Sequence, residues 1–202
     1  MGLILGRIAV ETPKYEVIKS LSGYEIRKYP PAVLAQVTYD SSQSTSDKDG
    51  FTVLANYIGA FSNPQNTKPE KIAMTAPVIT KTGGESEKIA MTAPVLTKEG
   101  GEEKKMITMQ FSLPAKYTKA EEAPKPTDER VVIREEGEKK YGVVKFSGIA
   151  SEKVVQEKVE MLKDKLAGDG YKVIGEFVLA RYNPPWITLP PFRTNEVMIP
   201  VE

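Results

Sequence analysis

The stretch SDKDGFTVLANYIGAF, residues 46–61, limits the fold more than any other, because it reads as a helix with more apolar surface than one sheet can cover. Ser46 with Asp49 three residues on matches a capping box, and Asp47 and Asp49 place negative charge in the first turn, where the helix dipole favours it. Apolar side chains then recur at Phe51, Leu54, Ala55, Ile58 and Phe61, a single helical face suited to packing on a sheet. Val53, Tyr57 and Ala60 point elsewhere, so eight of the eleven residues from 51 to 61 are hydrophobic. A helix that is apolar nearly all round must be buried nearly all round.

The second strong helical pattern, residues 151–167, is the contrast. Val155, Val159, Leu162 and Leu166 form one stripe and charged residues cover the rest, as in an ordinary surface helix. If the two helices lie on similar sheets, the first has a second apolar face that needs a cover. Each large side chain left wet there forgoes roughly 1.5 to 3 kcal/mol. The cover is either a loop of the same chain, a second subunit, or a flat apolar ligand.

The chain of 202 residues is long enough for one domain or two fused halves, and its 40% hydrophobic content supports a full core. A net charge of +1 gives no electrostatic footprint for nucleic acid or an anionic membrane. No run reaches the length of a membrane span, the opening MGLILGRIAV is short for a secretory signal, and Gly6 stands where myristoylation wants Ser or Thr, so a cytoplasmic protein is expected. The chain has neither cysteine nor histidine. Disulfides, thiolate nucleophiles, the Ser-His-Asp triad and the usual proximal haem ligand are therefore excluded. With no paired-carboxylate motif either, a non-enzymatic role is expected.

Along the chain, residues 15–29 alternate apolar and polar around Ser22 and Gly23 and predict a hairpin, broken by Pro30 and Pro31 before a strand at 32–39. A 17-residue unit, KIAMTAPVITKTGGESE from Lys71, repeats as KIAMTAPVLTKEGGEEK from Lys88. Two near-identical strands can compete for one place in a sheet, and the sequence does not say which copy holds it. After a strand at 105–114, the charge and the turn-forming Pro, Lys and Asp of residues 115–129 predict an exposed connection. Strands are predicted at 131–136, 141–148, 171–182 and 195–201, with NPPWITLPPF at 183–192 as a rigid aromatic loop. The order of strands, helix, strands occurs twice. It predicts one α+β domain over 1–202, with halves at about 15–114 and 130–201 joined by the linker, whose sheets merge into a distorted antiparallel barrel flanked by two helices.

KIAMTAPV, NYIGAF before it, PTDERVVIREEG, KFSG, RYNPPW and RTNEVMI together resemble the SOUL haem-binding protein family, particularly its plant members, over almost the whole chain. The resemblance implies two βαββ-like halves and reversible binding of haem or other tetrapyrroles in a hydrophobic cleft beside the first helix, as a carrier or buffer. The ligand would be non-covalent b-type haem or protoporphyrin IX, held without an axial histidine, which this chain lacks. The family's pocket positions fall on Lys48, Phe51, Leu54, Ala55 and Ile58, and a basic position in some members is Asn56 here. Arg193 is the nominated cation for a propionate. Core packing is the competing reading for Phe51, Leu54 and Ile58, and solvated surface charge for Lys48 and Arg193. Met74, Met91, Met106 and Met109 alternate like core strand residues, and Tyr57 is expected to be buried and bonded to backbone rather than to iron. The alternative function is a small-molecule effector or peptide-binding module on the same fold.

Overall fold

The computed structural model describes residues 2–40, 47–61, 63–82 and 106–202, and the side chains of residues 47 and 48 also lie outside that description. Its elements run β1 Glu16–Leu21, β2 Tyr24–Tyr29, β3 Ala32–Asp40, α1 Asp47–Ile58, β4 Val78–Thr82, β5 Met106–Ser112, β6 Val132–Glu136, β7 Lys139–Ser147, α2 Glu152–Gly168, β8 Val178–Arg181 and β9 Thr194–Pro200. The strands form one antiparallel nine-stranded sheet in the order β1-β2-β7-β9-β8-β4-β5-β3-β6. The sheet curls into a half-barrel with two helices, the α+β architecture anticipated from the sequence.

Each half is built as strand, helix, strand, strand: β3-α1-β4-β5 and β7-α2-β8-β9, joined where β4 pairs with β8. The fourth strand of each sheet comes from the other half. β2 leads directly into β3 yet pairs with β7, and β6 leads directly into β7 yet pairs with β3. At the crossing point Tyr29 faces Lys139 while Ala32 faces Glu136. Pro30 and Pro31 lie between β2 and β3 and have no backbone N–H to donate, so the two strands part instead of closing a hairpin.

Strand alternation gives the sheet two buried faces. On the convex face, Val33, Ala35, Val37, Met109 and Phe111 pack under α1, while Ile26, Val144, Val197 and Ile199 pack under Val155, Val159, Leu162 and Leu166 of α2. On the concave face Tyr141, Val143, Val178, Ala180 and Met198 form a third cluster. α2 begins as expected, with the Ser151 hydroxyl accepting the Val154 N–H. α1 stops at Ile58 rather than Phe61, because Gly59 adopts φ +75° and turns the chain. Its expected N-cap, Ser46, lies outside the described residues.

Two further expectations are corrected. Residues 171–182 are not one strand: only Val178–Arg181 pairs fully, while Val173 makes a single bridge to Val201. Pro200 has no N–H for a ladder there, and any side chain at Gly175 would press on its ring. The linker at 115–129 is not merely exposed, since Tyr117, Ala123 and Pro124 are buried. Of the duplicated motif, the first copy supplies β4, between β5 and β8; the second copy lies outside the described residues.

Candidate functional site

The second apolar face of α1 is covered by the chain itself. Val53 and Tyr57 share a cluster with Tyr117 and Ala123 from the linker and with Val131 just after it, and the Tyr57 hydroxyl donates to the Pro124 carbonyl at 2.8 Å. Asn66 donates to the Tyr57 carbonyl at 3.1 Å and fixes the following loop to the helix end. Burial holds the Tyr57 phenol above its usual pKa, with the Tyr117 and Glu70 charges adding to the effect. Its hydroxyl is committed to backbone, as expected.

This arrangement distributes the nominated residues unequally. Leu54, Ala55 and Ile58 are fully buried, Leu54 and Ile58 in one cluster with residues of β3 and β5. Phe51 is half-buried at the helix edge, its ring 5.5 Å from Phe111, 6.0 Å from Phe61 and 5.5 Å from Trp186. Lys48 lies in the first turn of α1, its side chain outside the described residues. Arg193 donates through Nε to the Thr188 carbonyl at 2.9 Å and through Nη2 to the Pro185 carbonyl at 2.6 Å, so it holds the aromatic loop in shape.

Outward from Phe51 the surface is apolar. Phe61 and Trp186 are 60% and 63% exposed, and Leu5, Leu189 and Phe192 are exposed too. The N-terminal lead is stitched to the loop carrying Trp186: Leu189 N–H donates to the Ile4 carbonyl, Thr188 to the Leu3 carbonyl, and Asn183 to the Gly6 carbonyl. Gly6 has φ +81° and lies so close to the Phe192 carbonyl that no side chain fits there. The result is a held aromatic platform of the kind that marks a binding surface. The sequence marks the aromatic loop at 183–192 but not Leu5, because contact between the N-terminus and residue 189 leaves no periodic signal.

A second feature was missed altogether. Between the two half-sheets, on the concave side, lies a cleft of about 540 Å³ lined by Leu34, Ile79, Val178, Met198, Tyr29 and Tyr141 among others. Under its floor, Arg27 donates to Glu196 at 2.9 Å, and Tyr182 donates to the same carboxylate at 2.7 Å. Burial pushes Tyr29 up to about 12, and the Tyr141 and Tyr182 phenols are raised by burial as well. The lining residues named come from six strands, β2, β3, β4, β7, β8 and β9. The signal available was Glu196, a charge directly before the apolar run at 197–199. Among the described residues no group of three or more Asp or Glu could hold a metal ion, and no helix is long and apolar enough to cross a membrane.

Known proteins place this geometry in a class. The description "SOUL heme-binding protein" matches residues 10–86 and 81–200, almost the full length. The chain belongs to the SOUL haem-binding protein family, as its motifs suggested, and a haem- or tetrapyrrole-binding role follows in general terms. No curated protein matches the sequence. Among solved structures the chain is similar to the EcmrR C-terminal domain, with 12% identity, TM-score 0.57, and coverage of 93% of this chain and 98% of that one. It is also similar to an uncharacterized conserved protein from Listeria innocua, with 12% identity, TM-score 0.58, and coverage of 88% and 92%. A hydrolase from the same organism gives 11% identity, TM-score 0.54, and coverage of 88% and 91%. At these identities the likeness is one of fold.

Proposed function

We propose that the chain is a non-enzymatic carrier or buffer that binds haem and related tetrapyrroles reversibly, with the macrocycle lying on the platform of Phe51, Phe61 and Trp186 beside α1. The observation that carries this reading is the pair of aromatic side chains, Phe61 and Trp186, left more than half exposed on a braced surface. It is supported by membership of the SOUL family. The residues fit a flat apolar plate better than a buried slot, because Leu54, Ala55 and Ile58 are already covered by the protein.

Bound haem would supply a redox-active iron, while the protein would supply apolar contact and orientation. Phe61 and Trp186 offer ring faces for stacking. Arg193 shapes the loop that carries Trp186 and has Nη1 left for a propionate. With no histidine or cysteine in the sequence and the Tyr57 hydroxyl committed to Pro124, affinity would come from the porphyrin more than from its iron. Lys48 in the first turn of α1 is the other candidate cation for a propionate.

Titration with hemin and with metal-free protoporphyrin, followed by quenching of Trp186 and by the Soret band, tests this. Comparable affinities and strong quenching are expected. A large preference for iron would mean that a side chain ligates the metal, and absence of quenching by both would remove the carrier reading.

A further inference from the structure

We propose that the concave cleft between the two half-sheets is a second and separate ligand site, built for a small aromatic carboxylate. This goes beyond tetrapyrrole binding, because the site lies on the opposite side of the sheet from α1. Ala35 and Val37 pack with the helix, whereas Leu34 and Gln110 line the cleft; Val33, Leu113 and Tyr117 border both. Neither Phe51 nor Trp186 lines the cleft.

The size suits a small organic molecule, since about 540 Å³ falls within the range of ligand pockets. The body of the cleft is apolar and aromatic: Ile79, Val178 and Met198 on one side, Tyr29 and Tyr141 on the other, these two rings packed edge to face at 5.8 Å. One wall is the N-terminal segment around Glu11. It is anchored by pairing with Thr75, by the Ala76 N–H on the Glu11 carbonyl, and by the Ala115 N–H on the Glu11 side chain, each bond 2.9 Å long. The cleft is therefore a walled site and not a gap between loosely placed loops.

Charge selects the ligand's sign. Three lysines, Lys14, Lys81 and Lys139, line the cleft against two glutamates, Glu11 and Glu136. Lys81 and Lys139 reach the same Glu136 oxygen, at 3.6 and 2.5 Å, so a single carboxylate serves two ammonium groups. Desolvation pulls Lys81 below the ordinary lysine range, and neighbouring Lys139 and Arg134 add to the effect in opposition to Glu136. A second carboxylate would meet a cation short of negative partners. The floor offers nothing comparable to a cation: Glu196 already accepts from both Arg27 and Tyr182. On the facing wall Gln110, 4% exposed, donates to Gln36 while its own Oε1 has no partner, which leaves an acceptor for a ligand hydroxyl or N–H.

The test uses the full chain and three probes of one shape: naphthoate, the neutral naphthalenemethanol, and the naphthylmethylammonium cation, each titrated by calorimetry. Naphthoate is expected to bind one-to-one and more tightly than the other two. Lys81→Met and, independently, Lys139→Met should each weaken naphthoate by about ten-fold, about 1.4 kcal/mol, and change the neutral probe little. Trp186→Ala should leave naphthoate unchanged. Urea unfolding of each lysine variant confirms that the fold is intact.

Equal or tighter binding of the cation, loss of naphthoate binding in Trp186→Ala but not in the lysine variants, displacement of naphthoate by hemin, or no binding of any probe would each overturn the proposal. Failure of hemin binding with naphthoate still bound would remove the tetrapyrrole reading and leave the cleft site standing.

Discussion

Replacing Leu54 by Ala separates core from ligand surface at α1. Leu54 is fully buried, packed with residues of β3 and β5, and sealed on the far side of the helix by the linker. Truncation there removes buried carbons and leaves a cavity, at a cost of about 2 to 5 kcal/mol. With a urea m-value of about 2 kcal/mol per molar, a 3 kcal/mol loss lowers the unfolding midpoint by about 1.5 M at constant slope. Against a total stability of about 5 to 15 kcal/mol the variant still folds, so its hemin affinity can be measured and should match the parent. Phe51→Ala should show the reverse pattern. Its ring is half-buried and makes edge contacts with Phe111 and Trp186, so the stability cost is about 2 kcal/mol. Hemin binding should fall by about ten-fold because the platform loses its base. A Leu54→Ala protein whose midpoint moves by less than about 0.5 M while hemin binding collapses would refute the reasoning. The inner face of α1 would then open to ligand in solution, contrary to its burial here.

Three other outcomes are expected. Arg27→Met leaves Glu196 buried without its cation and should cost about 3 to 5 kcal/mol, whereas replacing both residues by apolar ones should restore most of that, as read by urea midpoints. Gly142→Ala would press a methyl to 2.7 Å from a Leu166 methyl under α2 and should cost about 1 to 3 kcal/mol, visible as a lowered Tm, with Leu166→Ala recovering part of it. Tyr57, Tyr141 and Tyr182 have folded pKa values raised by burial and Tyr29 is pushed up to about 12. Because the raised value belongs to the folded state, the associated stability is complete below about pH 10, the unfolded value, and is lost as pH climbs through the folded ones. The tyrosinate absorbance of these four phenols should therefore appear together with unfolding rather than before it.

Much of this was legible in the sequence, and what was not has physical reasons. The surplus apolar face of α1 and the ordinary stripe of α2 could be read from spacing alone, and each packs on its sheet as expected. What covers the surplus could not, because Tyr117, Ala123 and Pro124 sit in a segment whose composition is that of exposed chain. Strand positions were largely readable, but not their partners. Two residues separate β2 from β3 and two separate β6 from β7, spacings that usually imply pairing, yet each strand pairs in the other half's sheet. The concave cleft was hidden for the same reason, since Lys81, Glu136 and Tyr141 come from strands that only this exchange brings together.

The exchange of edge strands has a consequence for biosynthesis. As the nascent chain leaves the ribosome, β1 and β2 emerge first, but the surface awaiting them is completed only when residues 139–147 follow. The β3-to-β5 unit in turn waits for residues 132–136. Neither portion can mature during translation while the other is missing, so ordering has to come late and in a concerted step. Until then the hairpin's unmatched backbone is exposed to pairing with other polypeptides, which makes early synthesis the moment when this protein most needs a chaperone.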